Sequence, residues 1–251
     1  MTGSLAIRIA RIAAVAAIFA LWEMLSRTGM VNPRLLPSAS DTLLMLGELL
    51  QRESVRSDLA VTASEVLAAF ALAVPLGAAI GFLIAESRYF AEVVKPLLFF
   101  AFSIPKSIFL PMFILVFGVG FAQKVGFGFF STIFIVIMST TTAVESVKVD
   151  YLTVARSYGA TPAQTAFRVY LPSMLPVLLE ALRIAMIFNL TGVILAEMYA
   201  SRDGIGHQIA TWGENFQMKQ LLAGVVLIAA IAIAFNEMVR WVETRCSHWR
   251  T

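Results

Sequence analysis

The sequence is poor in charge, in cysteine and in histidine, and each scarcity excludes something. Only 14% of its residues are Asp, Glu, Lys or Arg, against about 25% in ordinary soluble domains. It lacks the side chains that keep a water-facing surface wet. A single cysteine, Cys246, excludes an intramolecular disulfide. The histidines His207 and His248 have no cysteine or second histidine at ligand spacing, so there is no metal-site signal. No Gly-x-x-x-x-Gly-Lys-Ser/Thr phosphate loop occurs, so the chain is not expected to supply ATP chemistry itself. Internal repeats and low-complexity tracts are absent as well.

What is present in quantity is apolar sequence. Of 251 residues, 59% are hydrophobic and the mean hydropathy is +0.82. The apolar residues cluster in runs near the ~20 residues that span a bilayer. Six spans are predicted, near 5–25, 61–85, 93–118, 125–144, 173–198 and 221–242, in one all-α polytopic membrane domain. The net charge of +3 points to no nucleic-acid partner, because the basic residues flank apolar runs, where they set topology. Arg8 and Arg11 precede IAAVAAIFALWEML, which continues past the length of a signal-peptide core without a small-residue cleavage site, so a retained first span is expected.

Six spans put both termini on one side. With the termini inside, Arg88, Lys95, Lys148, Arg156, Arg168, Arg183, Arg240, Arg245 and Arg250 fall at or near the cytosolic face together with Arg8 and Arg11, while Arg27, Arg34, Arg52, Arg56, Lys124, Arg202 and Lys219 fall outside. This bias favours cytosolic termini. Residues 38–52 are too short and polar to span. With Ser40 as N-cap and leucines on one face, they are expected to form an amphipathic helix on the outer surface. Several spans contain helix breakers: Pro75, Pro96, Pro105 and Pro111, with Gly77 and Gly81 at the spacing that lets helices approach closely.

Residues 147–172, VKVDYLTVARSYGATPAQTAFRVYLP, form a polar insert between the fourth and fifth spans, on the cytosolic side in this topology. Asp150–Ser157 predicts a short helix, ended by Gly159, which leaves a helix cheaply in the left-handed conformation. Thr161 is a good N-cap and Pro162 suits the first helical position. Ala163–Tyr170 predicts a second helix, closed by Leu171 and Pro172, with Tyr158 and Phe167 as candidate knobs for a partner's groove.

This insert resembles the EAA loop of ABC-importer permeases, whose pattern is Glu-Ala-Ala, three residues, Gly, nine residues, Ile-x-Leu-Pro. Ala155 and Gly159 match and Val169-Tyr170-Leu171-Pro172 fills the end, whereas Thr153 and Val154 replace the family's Glu and Ala. LLPSASDTLLMLGELL, SIPKSIFLPMFILVFGVG, ALRIAMIFNLTGVILAEM and DGIGHQIATWGENF are similar to stretches of the nitrate/sulfonate/taurine-type permeases. The resemblance implies a type I importer fold in a bacterial inner membrane. It also implies a second permease copy or a homologous sister chain, two cytosolic ATP-binding subunits and an extracytoplasmic solute-binding protein. ATP and Mg would sit on the ATPase partners, with no cofactor on this chain. The docking residues it implies are Ala155, Ser157, Tyr158, Gly159, Ala160, Thr161, Pro162, Phe167, Leu171 and Pro172. The substrate it suggests is a small anion such as a sulfonate, nitrate or carboxylate.

Charges within spans are costly and each needs a reason. Lys106 is a candidate pathway-lining residue that could attract an anion. Asn189 could touch substrate or hydrogen-bond between helices. Glu197 could line the pathway or hold the loop that follows, and Glu65 is expected to face headgroups. The loop 201–220, with Gly204, Gly206, Trp212 and Phe216, is by resemblance near the binding-protein face. Two other classes compete. An intramembrane enzyme would need a nucleophile with its base at membrane depth, and none is visible. A stand-alone secondary transporter or channel would leave the polar insert unexplained.

Overall fold

A computed structural model describes residues 2–246; His248 and Arg250 lie outside the described residues, as do the side chains of Arg8, Arg245 and Cys246. The chain is all-α. The helices are α1 (Thr2–Arg27), α2 (Ala39–Gln51), α3 (Glu53–Glu86), α4 (Arg88–Ser103), α5 (Leu110–Phe117), α6 (Phe121–Glu145), α7 (Val149–Ser157), α8 (Pro162–Thr165), α9 (Leu171–Tyr199), α10 (Ile205–Glu214) and α11 (Met218–Cys246). Five helical stretches are long and apolar enough to cross a membrane, and a sixth span is formed if the bent pair α4–α5 crosses as one.

The centre of the bundle is α6, packed between α3 and α9. Contacts from Glu65–Lys124 at one end to Gly81–Thr140 at the other ascend together, so α3 and α6 run parallel. Those from Gly128–Val193 reverse, so α9 is antiparallel to α6. Small residues permit this closeness. A Cβ on Gly77 would lie 2.8 Å from the Val136 Cβ, and one on Gly81 would lie 2.6 Å from the Ile137 carbonyl oxygen. The glycine pair is therefore a contact surface for α6. Thr141 adds an interhelical bond, donating to the Gly81 carbonyl at 3.1 Å.

Around this core the outer elements keep much apolar surface exposed, as lipid or partner contact requires. On α1, Ile12 and Ile18 are exposed. That helix is tied to the rest near its end, where Trp22 Nε1 donates to the Pro37 carbonyl at 2.9 Å and Ser26 to the Leu36 carbonyl at 2.8 Å. Helix α2 buries Leu49 in a cluster with Val55, Ile205, Ile209, Trp212, Ala223 and Leu227, and Lys219 of α11 pairs with its Asp41 at 3.0 Å.

Two local expectations are corrected and a third is sharpened. The stretch 93–118, where helix breakers were expected, is bent by 78° between α4 and the segment from Lys106 to Phe117. Pro105 forces this, because the residue before a proline is driven out of the helical region and Ile104 is extended at φ −71°, ψ 128°. The N-cap of α2 is Ser38, whose hydroxyl accepts from the Asp41 amide at 3.1 Å, and Ser40 lies inside the helix. Leu171 and Pro172 do not close a helix. The chain runs on from α8 into α9 through one π-helical turn, Ala166–Tyr170, in which the Leu171 amide donates to the Ala166 carbonyl. A wider turn accommodates a proline whose ring would clash with the carbonyl four residues back and which has no amide to continue the ladder.

Candidate functional site

Three places in the fold bear on function: the polar insert, the cavity at the α4–α5 break and a buried charge cluster at the opposite end of α6 from the insert.

In the insert, α7 is followed by Tyr158 as its C-cap, and Gly159 takes φ +72°. The Ala160 amide donates to the Ala155 carbonyl at 3.0 Å and the Gly159 amide to the Arg156 carbonyl at 2.9 Å. Together these form a Schellman closure, which a left-handed residue makes possible. Ser157 donates to the Thr153 carbonyl at 2.9 Å. Thr161 then caps α8 in a reciprocal capping box: its hydroxyl accepts from the Gln164 amide at 3.3 Å and Gln164 Oε1 accepts from the Thr161 amide at 2.9 Å. Pro162 fills the first helical position. The Thr-x-x-Gln spacing was available in the sequence as a signal for Gln164.

Two faces of this insert differ. Inward, Leu152 and Tyr170 pack against Ala143, Val144, Val147 and Met174, and the Tyr170 ring meets Phe82 of α3 edge-on at 5.5 Å. Outward, Tyr158 is 89% and Phe167 72% exposed, and Leu171 is exposed too. The insert is thus rooted in α3, α6 and α9 while presenting aromatic side chains to its surroundings.

At the α4–α5 break, Lys106 is half-buried and its ammonium lies 4.2 Å from the Phe102 ring centroid. It faces a cavity of about 320 Å³ that also meets Ser107, Ser131, Phe188 and Thr191. Asn189 is fully buried, and its amide donates to the Val66 carbonyl of α3 at 2.7 Å. It bonds between helices.

The charge cluster was not legible in the sequence. Lys124, which topology counting placed outside, is 1% exposed and forms an ion pair with Glu65, itself 1% exposed rather than facing headgroups. The second partner of Lys124 is Asp203 at 2.7 Å, whose pKa is held below the usual aspartate value by that hydrogen bond. Beside them Glu197 is fully buried and holds the following loop. Its carboxylate accepts from Thr62 at 2.6 Å and from the Gly206 amide at 2.7 Å. The Ile205 amide donates to Thr62 at 2.9 Å and the Gly204 amide to Asp58 at 2.9 Å. The unpaired amides at the start of α10 are therefore capped by side chains from α3 and α9, with carboxylates at the positive end of the helix. Gly204 and Gly206 are required there: a Cβ on either would overlap the Glu197 carboxylate.

Residues 73–248 match the family described as binding-protein-dependent transport system inner membrane component. The chain belongs to that family. Members similar to this permease include the taurine transport system permease protein TauC of Escherichia coli (strain K12), 26% identical over 95% of this chain and 88% of TauC. Another is the formylaminopyrimidine transport permease protein ThiX of Halalkalibacterium halodurans, 25% identical over 93% of this chain and 92% of ThiX. In fold it resembles a chain of the inward-facing MetNI methionine ABC transporter, with a TM-score of 0.65 at 20% identity, covering 79% of this chain and 96% of that one. This permease is accordingly a multi-pass inner membrane component of a transport system.

Proposed function

We propose that this permease is the non-catalytic membrane subunit of an ATP-driven importer, and that its insert is the docking element for separate cytosolic ATP-binding subunits. The carrying observation is the double-faced insert: Tyr158 and Phe167 point outward, while Leu152 and Tyr170 are embedded among helices of the bundle. A partner that moved the exposed face would move α3, α6 and α9 with it. ATP and Mg belong on that partner, and the permease binds no cofactor of its own. A second permease copy or a sister chain completes the pathway, and a solute-binding protein delivers substrate to the face that carries α10. In this arrangement both termini lie in the cytosol.

The relatives' names span different substrates, one of them a sulfonate, taurine, and the other a formylaminopyrimidine. A small anion such as a sulfonate suits the lysine at the α4–α5 break.

The test is co-expression of the permease with its ATP-binding subunits, tagged on the permease. Gly159→Pro and a Tyr158→Ala/Phe167→Ala pair are expected to insert normally but to lose most ATPase co-purification and ATP-dependent uptake. Undiminished co-purification of both variants would show that the insert is not the docking element.

A further inference from the structure

Among the described residues, one half-buried lysine of the bundle is left without an ionic partner. Lys106 sits at the 78° break between α4 and the segment leading into α5, where a lysine is expensive unless something compensates its charge. Elsewhere the chain supplies that compensation directly: Lys124 has Glu65 and Asp203, and Lys95 has Glu145. Among the described residues Lys106 has no carboxylate. Its ammonium makes a long hydrogen bond to the Phe102 carbonyl at 3.4 Å and lies over the Phe102 ring and near that of Phe188, 5.6 Å from its centroid. These contacts position the cation without neutralising it.

The cavity beside it has the complementary chemistry. Ser107 and Ser131 both face it, and neither side-chain hydroxyl has a hydrogen-bond partner among the described residues. Ser131 is buried on α6, against Gly192 of α9, where a Cβ would come within 2.6 Å of its hydroxyl oxygen. The Thr191 hydroxyl is already committed to the Ile187 carbonyl at 2.8 Å. One fixed positive charge and two free hydroxyl donors, with Phe102 and Phe188 as apolar walls, converge on about 320 Å³.

We infer that Lys106, Ser107 and Ser131 form an anion subsite inside the permease, which takes the sulfonate or similar oxyanion group of a small organic solute while the phenyl rings hold its apolar part. This deepens the importer reading and rests on it for the direction of transport, since a subsite at the helix break would receive the solute after its release from the binding protein. Selection by charge would then be made by the membrane subunit as well as by the delivering protein.

The test uses the full-length permease, co-purified with its ATP-binding subunits, in nanodiscs of zwitterionic phosphatidylcholine, so that no lipid headgroup carries a net negative charge. Methanesulfonate is the probe, dimethyl sulfone its neutral counterpart and tetramethylammonium the cationic control. Saturable thermal stabilisation by methanesulfonate alone is expected. Lys106→Gln should weaken it by about 10-fold to 100-fold, the worth of a charge-assisted bond. Lys106→Arg should retain most of it, and Ser131→Ala should weaken it less than Lys106→Gln. Equal responses to methanesulfonate and dimethyl sulfone, or an unchanged response in Lys106→Gln, would overturn the subsite. So would stabilisation by added anionic lipid with none by methanesulfonate. Co-purification of the ATPase is read on the same samples. It fails with the docking proposal and is indifferent to Lys106, which keeps the two ideas separable.

Discussion

Lys124 and Glu65 form an ion pair in which each side chain is 1% exposed, joining the first turn of α6 to α3. Asp203 approaches the same ammonium from the loop after α9, so three segments distant in sequence meet at one cation.

Breaking that pair should destabilise the bundle strongly. Lys124→Met leaves Glu65 buried without its counter-ion, which costs roughly 3–5 kcal/mol. Glu65→Gln should cost less, because Asp203 still holds the lysine. Apparent melting temperatures of the purified variants test the order. A Lys124→Met protein as stable as the parent would mean that the pair contributes nothing.

The glycines of α3 and α2 should behave oppositely. Gly81→Ala places a Cβ 2.6 Å from the Ile137 carbonyl and should lose about 1–3 kcal/mol by overpacking. Gly47, inside α2, has nothing within 4 Å of its added Cβ, so Gly47→Ala should gain about 0.5–1 kcal/mol by favouring the helix. Denaturation midpoints of the two variants should move in opposite directions.

Removing the cap of α8 should act locally. Thr161→Ala leaves the Gln164 amide without its acceptor and costs about 1 kcal/mol of helix stability. Hydrogen exchange should rise over residues 161–166 and stay unchanged around α10. A rise across the whole bundle would contradict a local role.

Acid should loosen the loop after α9 first. Asp203 has a depressed pKa because Lys124 donates a hydrogen bond to it. Its contribution is therefore complete above the ordinary aspartate value of 3.8 and is lost as pH falls through the lower folded-state value. Asp203→Asn should flatten the acid limb of a stability-versus-pH curve while leaving the neutral region parallel to the parent. An identical acid limb in both proteins would remove Asp203 from the clasp.

Much of the local architecture was legible. Apolar runs located the helices long and apolar enough to cross a bilayer, because crossing demands length and backbone satisfaction within one helix. The Gly159 turn, the Thr161 cap and the Pro162 start were readable because caps and left-handed turns depend on a few neighbouring residues. Pro105 announced a break, though not its angle, since the direction of the next segment depends on what it packs against.

What the sequence by itself determined is the long apolar helices, the Gly159 turn with the Thr161 cap, and the membrane as their solvent. Tertiary structure alone decided which charges are buried and with whom. Glu65 and Lys124 are far apart along the chain, and nothing local in the sequence pairs them. The same holds for Glu197, whose role as the anchor of α10 requires Thr62 and the glycines at 204 and 206 to arrive from other segments. A charge in a span is a local fact, whereas its partner is set by packing. In a low-dielectric interior the partner decides whether the charge is structural or free to meet a solute.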